Sequence, residues 1–161
     1  MRRVRRTAER ADASVTLAIL GADMNRDDFR QLTRVRLAEA EFLLGGGYFD
    51  GAYYLSGYAV ECALKACIAR KTRRHDFPPK PTDVRDMYTH DLGRLVRLAG
   101  LESDRLTLVQ SCSVFELNWS TVKDWSEESR YSHSGRDFAE NLYLSITDRR
   151  HGIMRWLRKH W

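Results

Sequence analysis

The sequence of 161 residues contains few prolines, few cysteines and no long apolar run. Three prolines exclude a collagen-like or proline-rich low-complexity chain. No stretch approaches the run of about eighteen apolar residues that a membrane-spanning helix needs. The three cysteines form no Cys-x-x-Cys pair, so we expect neither a disulfide framework nor a zinc site. These absences predict a cytoplasmic protein with no membrane contact, no metal and no other cofactor.

The composition is that of a globular domain, with 43% hydrophobic and 30% charged residues. The formal net charge is +5, and 22 arginines stand against 5 lysines. Because arginine binds phosphate in a bidentate manner, this excess is compatible with a polyanionic partner such as RNA. A genome-wide bias toward arginine codons explains it equally well. Charge alone therefore leaves the function open.

The first dozen residues, MRRVRRTAERAD, are basic and precede the apolar segment VTLAIL. A signal peptide has this order, but Glu9, Arg10 and Asp12 interrupt it and the apolar segment is short. Two interpretations remain: a basic flexible arm, or translated sequence upstream of a natural start at Met24. We expect residues 1–24 to form a poorly ordered or loosely docked basic extension, and residues 25–161 to form the folded domain.

Helix start and stop signals in the remaining sequence predict a series of helices. Asn25 is a good N-cap for a first helix that ends at Gly45, with apolar positions at Phe29, Leu32, Val35 and Phe42. Asp50 is expected to cap a second helix. Its buried stripe of small side chains comprises Ala52, Ser56, Ala59, Ala63, Ala66 and Cys67. Glu61 and Lys65 are spaced for an i, i+4 ion pair, which gives them a structural or site-supporting role.

All three prolines lie in a predicted loop over residues 72–83. A third helix is expected from Thr89 or His90 to Gly100, and a fourth, capped by Ser103, carries Phe115 and Trp119 on its apolar face. A polar connector over residues 120–137 leads to one long last helix from about Asp137. No strand alternation of useful length occurs. The sequence predicts an all-α fold, a four- to five-helix up-and-down bundle.

Three passages occur in an order that resembles the HEPN domain family. They are RLAEAEFLLGGGYFDGAYYLSGYAVECALKACI, THDLGRLVRLAG after the proline loop, and SRYS before the final helix. Together they span most of the chain. The resemblance implies a helical bundle of HEPN type that pairs into a homodimer. It also implies either a metal-independent ribonuclease, often a toxin beside a nucleotidyltransferase antitoxin or part of phage defence, or a non-catalytic relative that binds RNA, nucleotides or proteins.

Active members of the family carry Arg-x4-6-His near the start of a late helix, where arginine binds the scissile phosphate and histidine moves protons. At that place this sequence has Arg130 and His133, which only two residues separate. It is closer to a branch of the family with an arginine–tyrosine pair. Arg130 and Tyr131 are therefore candidate substrate-binding residues, and Arg130 with His133 is the candidate catalytic pair.

Two alternatives at these residues stay open. Arg85 and His90 have the family spacing but lie before the third helix, where His90 would equally serve as a capping or loop-packing histidine. Arg130 could instead form a salt bridge to Glu61 or to another carboxylate of the bundle and lock the connector in place.

The resemblance, together with the arginine-rich composition, implies three alternative functions. The first is a dimeric HEPN-type protein that binds RNA or nucleotide within a toxin–antitoxin or defence pair. The second is an active endoribonuclease toxin. The third is a non-catalytic helical module that docks another protein.

Overall fold

The computed structural model describes residues 24–71 and 87–161, which form an all-α structure. Within these ranges lie seven α-helices and one 3-10 helix. They are α1 (Arg26–Gly45), α2 (Phe49–Lys71), α3 (Leu92–Leu98), α4 (Glu102–Ser111), α5 (Ser113–Val122), the 3-10 helix (Glu127–Tyr131), α6 (Arg136–Thr147) and α7 (Ile153–Leu157). The predicted all-α fold is confirmed. The predicted N-terminal extension and proline loop lie outside the described residues.

Asn25 is the N-cap of α1, as the sequence predicts, and Asp28 completes a capping box. The Asn25 side chain accepts hydrogen bonds from the backbone N–H groups of Asp27 and Asp28, and the Asp28 carboxylate accepts one from the Asn25 N–H at 2.9 Å. The helix ends at Gly45, and Gly47 adopts a φ of +80°, which side chains with a Cβ rarely tolerate. This short link makes α1 and α2 an antiparallel hairpin with extensive mutual contacts.

The face of α1 that packs on the bundle differs from the predicted stripe. Thr33, Leu37 and Ala40 are buried, whereas Phe42 is 79% exposed and Val35 is also exposed. Thr33, Leu37 and Ala40 follow the same three- and four-residue spacing, and the small side chains among them allow α2 to come close. The Thr33 hydroxyl donates to the Phe29 carbonyl at 2.9 Å, so its burial leaves no polar atom unpaired.

Helix α2 is the centre of the bundle. Twelve of its 23 residues are buried, including every member of the predicted small-residue stripe. It packs against α1, α3, α6, α7 and the 3-10 helix. The fully buried large side chains around it come from several helices: Leu64, Leu95, Leu142, Ile146 and Leu157.

Two predicted helices are each interrupted. The predicted fourth helix divides at Cys112, whose extended backbone (φ −143°, ψ 101°) makes it the N-cap of α5 while its N–H closes the last turn of α4. Helix α4 begins at Glu102 after Leu101, so Ser103 is not its cap. The break gives α5 an orientation independent of α4, and Phe115 of α5 enters the core although α4 has no buried residue.

The predicted long last helix divides into α6 and α7. At the break, Asp148 Oδ1 accepts hydrogen bonds from the backbone N–H groups of Arg150 at 3.0 Å and His151 at 2.6 Å. Such a local side-chain bond competes with helix continuation and turns the chain. As a result, α7 folds back so that Trp156 contacts the rings of Phe115 and Trp119 on α5.

Candidate nucleic-acid interface

The connector between α5 and α6 is anchored to α2 by Trp125. This indole is 2% exposed, and its ring lies so close to Gly57 that a Cβ at that glycine would fall 2.2 Å from Trp125 Cγ. Tyr54, one turn earlier on α2, lies 6.1 Å from the same ring, centroid to centroid. The absence of a side chain at Gly57 therefore fixes where the connector leaves the bundle.

A second anchor lies at the other end of the connector. Asp50, in the first turn of α2, accepts a hydrogen bond from the Ser134 backbone N–H at 2.5 Å, and its Oδ2 lies 2.9 Å from His133 Nδ1. These bonds, His133 first, hold the pKa of the Asp50 carboxyl below its ordinary value. The predicted role of Asp50 as the N-cap of α2 is wrong, because α2 begins at Phe49 and the carboxylate binds the connector instead.

Between the two anchors the 3-10 helix presents Arg130 and Tyr131 to solvent. The Arg130 guanidinium lies 4.9 Å from the centre of the Tyr131 ring, and Tyr131 is 81% exposed. Both side chains are on the outside of the bundle. The arrangement is an exposed cation–aromatic pair on a connector that is fixed at both ends.

Arg130 does not contact Glu61. The Glu61 side chain is 2% exposed, accepts a hydrogen bond from Lys65 Nζ at 2.7 Å, and has both carboxylate oxygens 3.0 Å from His90 Nδ1. The ion pair that the i, i+4 spacing predicts is therefore present. The Glu61 carboxylate also binds His90, which directly precedes Asp91, the N-cap of α3.

The two candidate histidines thus lie in different surroundings. His90 joins the segment before α3 to the buried Glu61. His133 is fully exposed, and Asp50 is its one partner among the residues that the structure describes. Arg85, the partner predicted for His90 in the second candidate pair, lies outside the described residues.

A cavity of about 440 Å³ adjoins the connector and includes His133 in its wall. Its lining also contains the carboxylates of Asp124 and Glu128, together with Tyr53, Phe138 and four serines. Arg130 and Tyr131 are not part of this lining. Arg130 and His133 therefore do not line this cavity together, and its charged lining residues beside His133 are acidic.

Sequence reasoning missed a basic cavity at the opposite end of α6. Its rim carries Arg149, Arg155, Arg158 and Lys159. The available signal was the basic run RRHGIMRWLRKHW, which predicts positive charge but not a concave site. The cavity exists only because the chain turns at Asp148 and folds α7 back onto the bundle.

Comparison with known proteins gives no family assignment: no protein-family model, no curated protein and no solved structure matches this chain. Among residues 24–71 and 87–161, no helix is long and apolar enough to cross a membrane. Within the same residues, no group of three or more histidine, cysteine, aspartate or glutamate side chains is placed to hold a metal ion.

Proposed function

We propose that this chain is an RNA- or nucleotide-binding helical bundle of HEPN type that acts as a homodimer. In this proposal it is one component of a toxin–antitoxin or phage-defence pair, with a nucleotidyltransferase as its partner. The observation that carries the binding function is the exposed Arg130–Tyr131 pair on the anchored connector.

The chemistry of this pair suits single-stranded RNA. A guanidinium donates two parallel hydrogen bonds to a phosphate, and an exposed tyrosine ring offers a face on which a base can stack. Within residues 24–71 and 87–161 no carboxylate lies within salt-bridge distance of Arg130, and the buried Glu61 is bound by Lys65 and His90. The guanidinium is therefore available to a ligand.

Preorganisation of the connector strengthens the argument. Trp125 packs on Gly57 at one end, and Asp50 binds His133 and Ser134 at the other. Arg130 and Tyr131 lie between these contacts, so binding a ligand there orders less of the chain than binding to a free loop would.

Support for the HEPN type and for the dimer comes from two sources. The resemblance in sequence order spans helices that the structure does contain, including the α1–α2 hairpin and the connector before α6. Several large apolar side chains are also exposed, among them Phe42, Leu117, Phe138 and Leu144. A homodimer interface would cover some of these side chains.

Catalysis by Arg130 and His133 is the second candidate, and one observation favours it. The ring of His133 is fully exposed while its Nδ1 faces Asp50, an arrangement that fixes the ring and leaves Nε2 accessible for proton transfer. In this alternative His133 takes the proton of the ribose 2′-hydroxyl, and the resulting alkoxide attacks the adjacent phosphate that Arg130 holds. A 2′,3′-cyclic phosphate forms as the bond from phosphorus to the 5′-oxygen of the next nucleotide breaks, and that oxygen leaves as a hydroxyl with a proton from the imidazolium or from water. Because Arg130 does not line the cavity that contains His133, the second protomer of the proposed homodimer would complete the site.

The catalytic alternative is tested by growth on expression and by cleavage of labelled RNA. Toxicity or cleavage that disappears in His133→Ala supports it. Activity that is unchanged in that variant removes this pair from the mechanism.

RNA binding is tested by filter binding of the full chain to a labelled single-stranded RNA at graded salt. We expect affinity to fall as salt rises, because phosphate contacts release counterions. Tyr131→Ala should lose about 1–3 kcal/mol per stacked base. Tyr48→Ala is the matched control, since Tyr48 is also exposed but lies in the link between α1 and α2. Affinity that is absent at low salt or indifferent to salt would contradict the proposal, and co-purification with a nucleotidyltransferase without RNA would favour the docking module.

A further inference from the structure

A cavity of about 630 Å³ opens between α1, the end of α6 and α7. Its lining combines basic side chains with a few others: Leu37, Thr147, Asp148, Arg149, Met154, Arg155, Arg158 and Lys159. The volume is within the range of small-ligand sites. Four cationic side chains at one concavity produce a positive potential there.

Among the residues that the structure describes, no carboxylate lies within salt-bridge distance of Arg149, Arg155 or Arg158, and none lies within that distance of Lys159. Some arginines elsewhere are paired: Arg30 and Arg105 each form a salt bridge with an acidic side chain at 3.0 Å. A cluster of unpaired like charges repels itself, and an anionic ligand would relieve that repulsion.

Asp148 is the one acidic residue in the lining, and its carboxylate has another role. It accepts hydrogen bonds from the backbone N–H groups of His151 and Arg150, which keep its pKa below the ordinary value. The carboxylate therefore shapes the turn that carries Arg149, and it forms no salt bridge with the cations of the rim.

The base of the cavity is apolar. Leu37 and Met154 belong to its lining and are largely buried, at 9% and 2% exposure. An apolar base with a cationic rim suits a phosphate that is attached to a sugar and a base better than it suits a bare ion.

Positive charge continues beyond the cavity. The guanidinium of Arg34 lies 6.0 Å from the ring of Trp161, and Arg70 donates to the Lys159 carbonyl oxygen at 3.4 Å. Arg70 and Lys159 are both exposed, as is Arg34. With the four cations of the rim, this surface carries more cations than one phosphate can bind, which suits the successive phosphates of a strand.

We propose that the cavity between α1, α6 and α7 binds phosphate groups of a single-stranded RNA. This inference rests on the proposed RNA-binding function and adds a second contact region, separate from Arg130 and Tyr131. Arg149, Arg155 and Arg158 clamp the phosphates, and Lys159 extends the contact.

The test compares two double variants of the full chain that lose the same charge. Arg155→Gln with Arg158→Gln removes two cations of the cavity. Arg97→Gln with Lys123→Gln removes two cations from a hollow that also contains the carboxylates of Asp91, Glu102 and Asp124. Binding of a labelled twelve-nucleotide oligouridylate is measured between about 50 and 200 mM salt. Arg149→Gln alone serves as a third variant.

We expect the cavity variant to bind about tenfold more weakly, and its slope of log affinity against log salt to fall by about 1.4. Arg149→Gln should lower the slope by about half as much. The control variant should stay within about twofold of the wild type. Unfolding midpoints should remain equal for all of them, because the substituted side chains are exposed.

Two outcomes would overturn the inference without touching the proposed function. One is that the wild type binds the RNA and the cavity variant binds it equally well. The other is an equal loss in both double variants, which means a general charge effect. A third outcome would change the ligand: if adenosine monophosphate binds as tightly as the oligouridylate, the cavity is a site for a free nucleotide and not for an RNA strand. If the wild type does not bind the RNA at all, the proposed function fails as well.

Discussion

The Nδ1 atom of His90 lies 3.0 Å from both carboxylate oxygens of Glu61, although 29 positions separate the two residues. Lys65 completes the cluster from one turn further along α2. The buried carboxylate of Glu61 is therefore bound by His90 and Lys65, and not by Arg130. This arrangement also separates the two candidate histidines, because His90 is joined to the core while His133 lies at the surface.

Removal of Lys65 should destabilise the bundle strongly. Lys65→Met leaves the buried Glu61 carboxylate without its 2.7 Å ammonium partner. Because His90 still contacts the carboxylate, the loss of this one partner should cost about 1–3 kcal/mol. The free energy of unfolding in urea measures the loss. Lys123→Met is the control, because its pair with Asp124 is exposed and worth less than about 1 kcal/mol. Equal stabilities of the two variants would contradict the importance of the buried cluster.

A methyl group at Gly57 should displace the connector. A Cβ there would lie 2.2–2.3 Å from three atoms of the Trp125 ring, so the indole must move. Overpacking of this kind costs about 1–3 kcal/mol, and Gly57→Ala should lower the unfolding midpoint and change the tryptophan fluorescence. Gly45→Ala is the matched control, since nothing lies within 4 Å of a Cβ at that position. A Gly57→Ala protein as stable as the Gly45→Ala protein would refute the close packing.

Loss of the Asp50 carboxylate should loosen the connector. Asp50→Asn weakens the contacts with His133 and Ser134, and trypsin should then cleave after Arg130 faster than in the wild type. Asp137→Asn, which removes the same charge in the first turn of α6, should not change the rate. If both variants are cleaved at the wild-type rate, Asp50 does not hold the connector.

The same contact predicts a pH dependence with a definite sign. Because the pKa of Asp50 is below its ordinary value of 3.8 in the folded state, ionisation of this carboxyl stabilises the fold. Its contribution is complete above that ordinary value and is lost as the pH falls through the lower folded-state pKa. The wild type should therefore lose more stability than Asp50→Asn when it is acidified through this range. Parallel acid unfolding curves would contradict the assignment.

The three cysteines should differ in reactivity. Burial raises the pKa of the Cys62 and Cys67 thiols to about 12, whereas Cys112 is partly exposed and its Sγ lies 3.3 Å from His151 Nδ1. Iodoacetamide at about pH 8 should alkylate Cys112 first, because only the thiolate reacts. Peptide mass spectrometry identifies the site, and unfolding in urea should expose all three. Alkylation of Cys62 or Cys67 at the rate of Cys112 in the native protein would be inconsistent with their burial.

Local signals in the sequence were sufficient for several features of the fold. The Asn25 cap and the glycines after α1 act within a few residues, and the small-residue stripe of α2 depends on helical periodicity alone. Each of these three signals therefore predicts the local structure that is observed. The breaks at Cys112 and Asp148 were missed, because apolar residues continue at helical spacing across both and only tertiary packing decides where α5 and α7 turn inward.

Contacts distant in sequence account for what could not be predicted at the candidate site. Asp50 has the residue type and position of a helix cap, and nothing near it in the chain indicates that it binds residues 133 and 134. The pairing of Glu61 with His90 likewise depends on how α3 docks onto α2. The basic cavity requires the turn at Asp148, so composition showed its charge but not its shape.

The central claim is that the guanidinium of Arg130 binds RNA phosphate. The most direct measurement is the affinity of Arg130→Gln for single-stranded RNA over a salt series, compared with Arg97→Gln, in which an exposed arginine beside acidic residues is changed. We predict that Arg130→Gln lowers the slope of log affinity against log salt by about 0.7 and weakens binding about tenfold, while Arg97→Gln has little effect. Equal affinities and equal slopes for the two variants would contradict the claim.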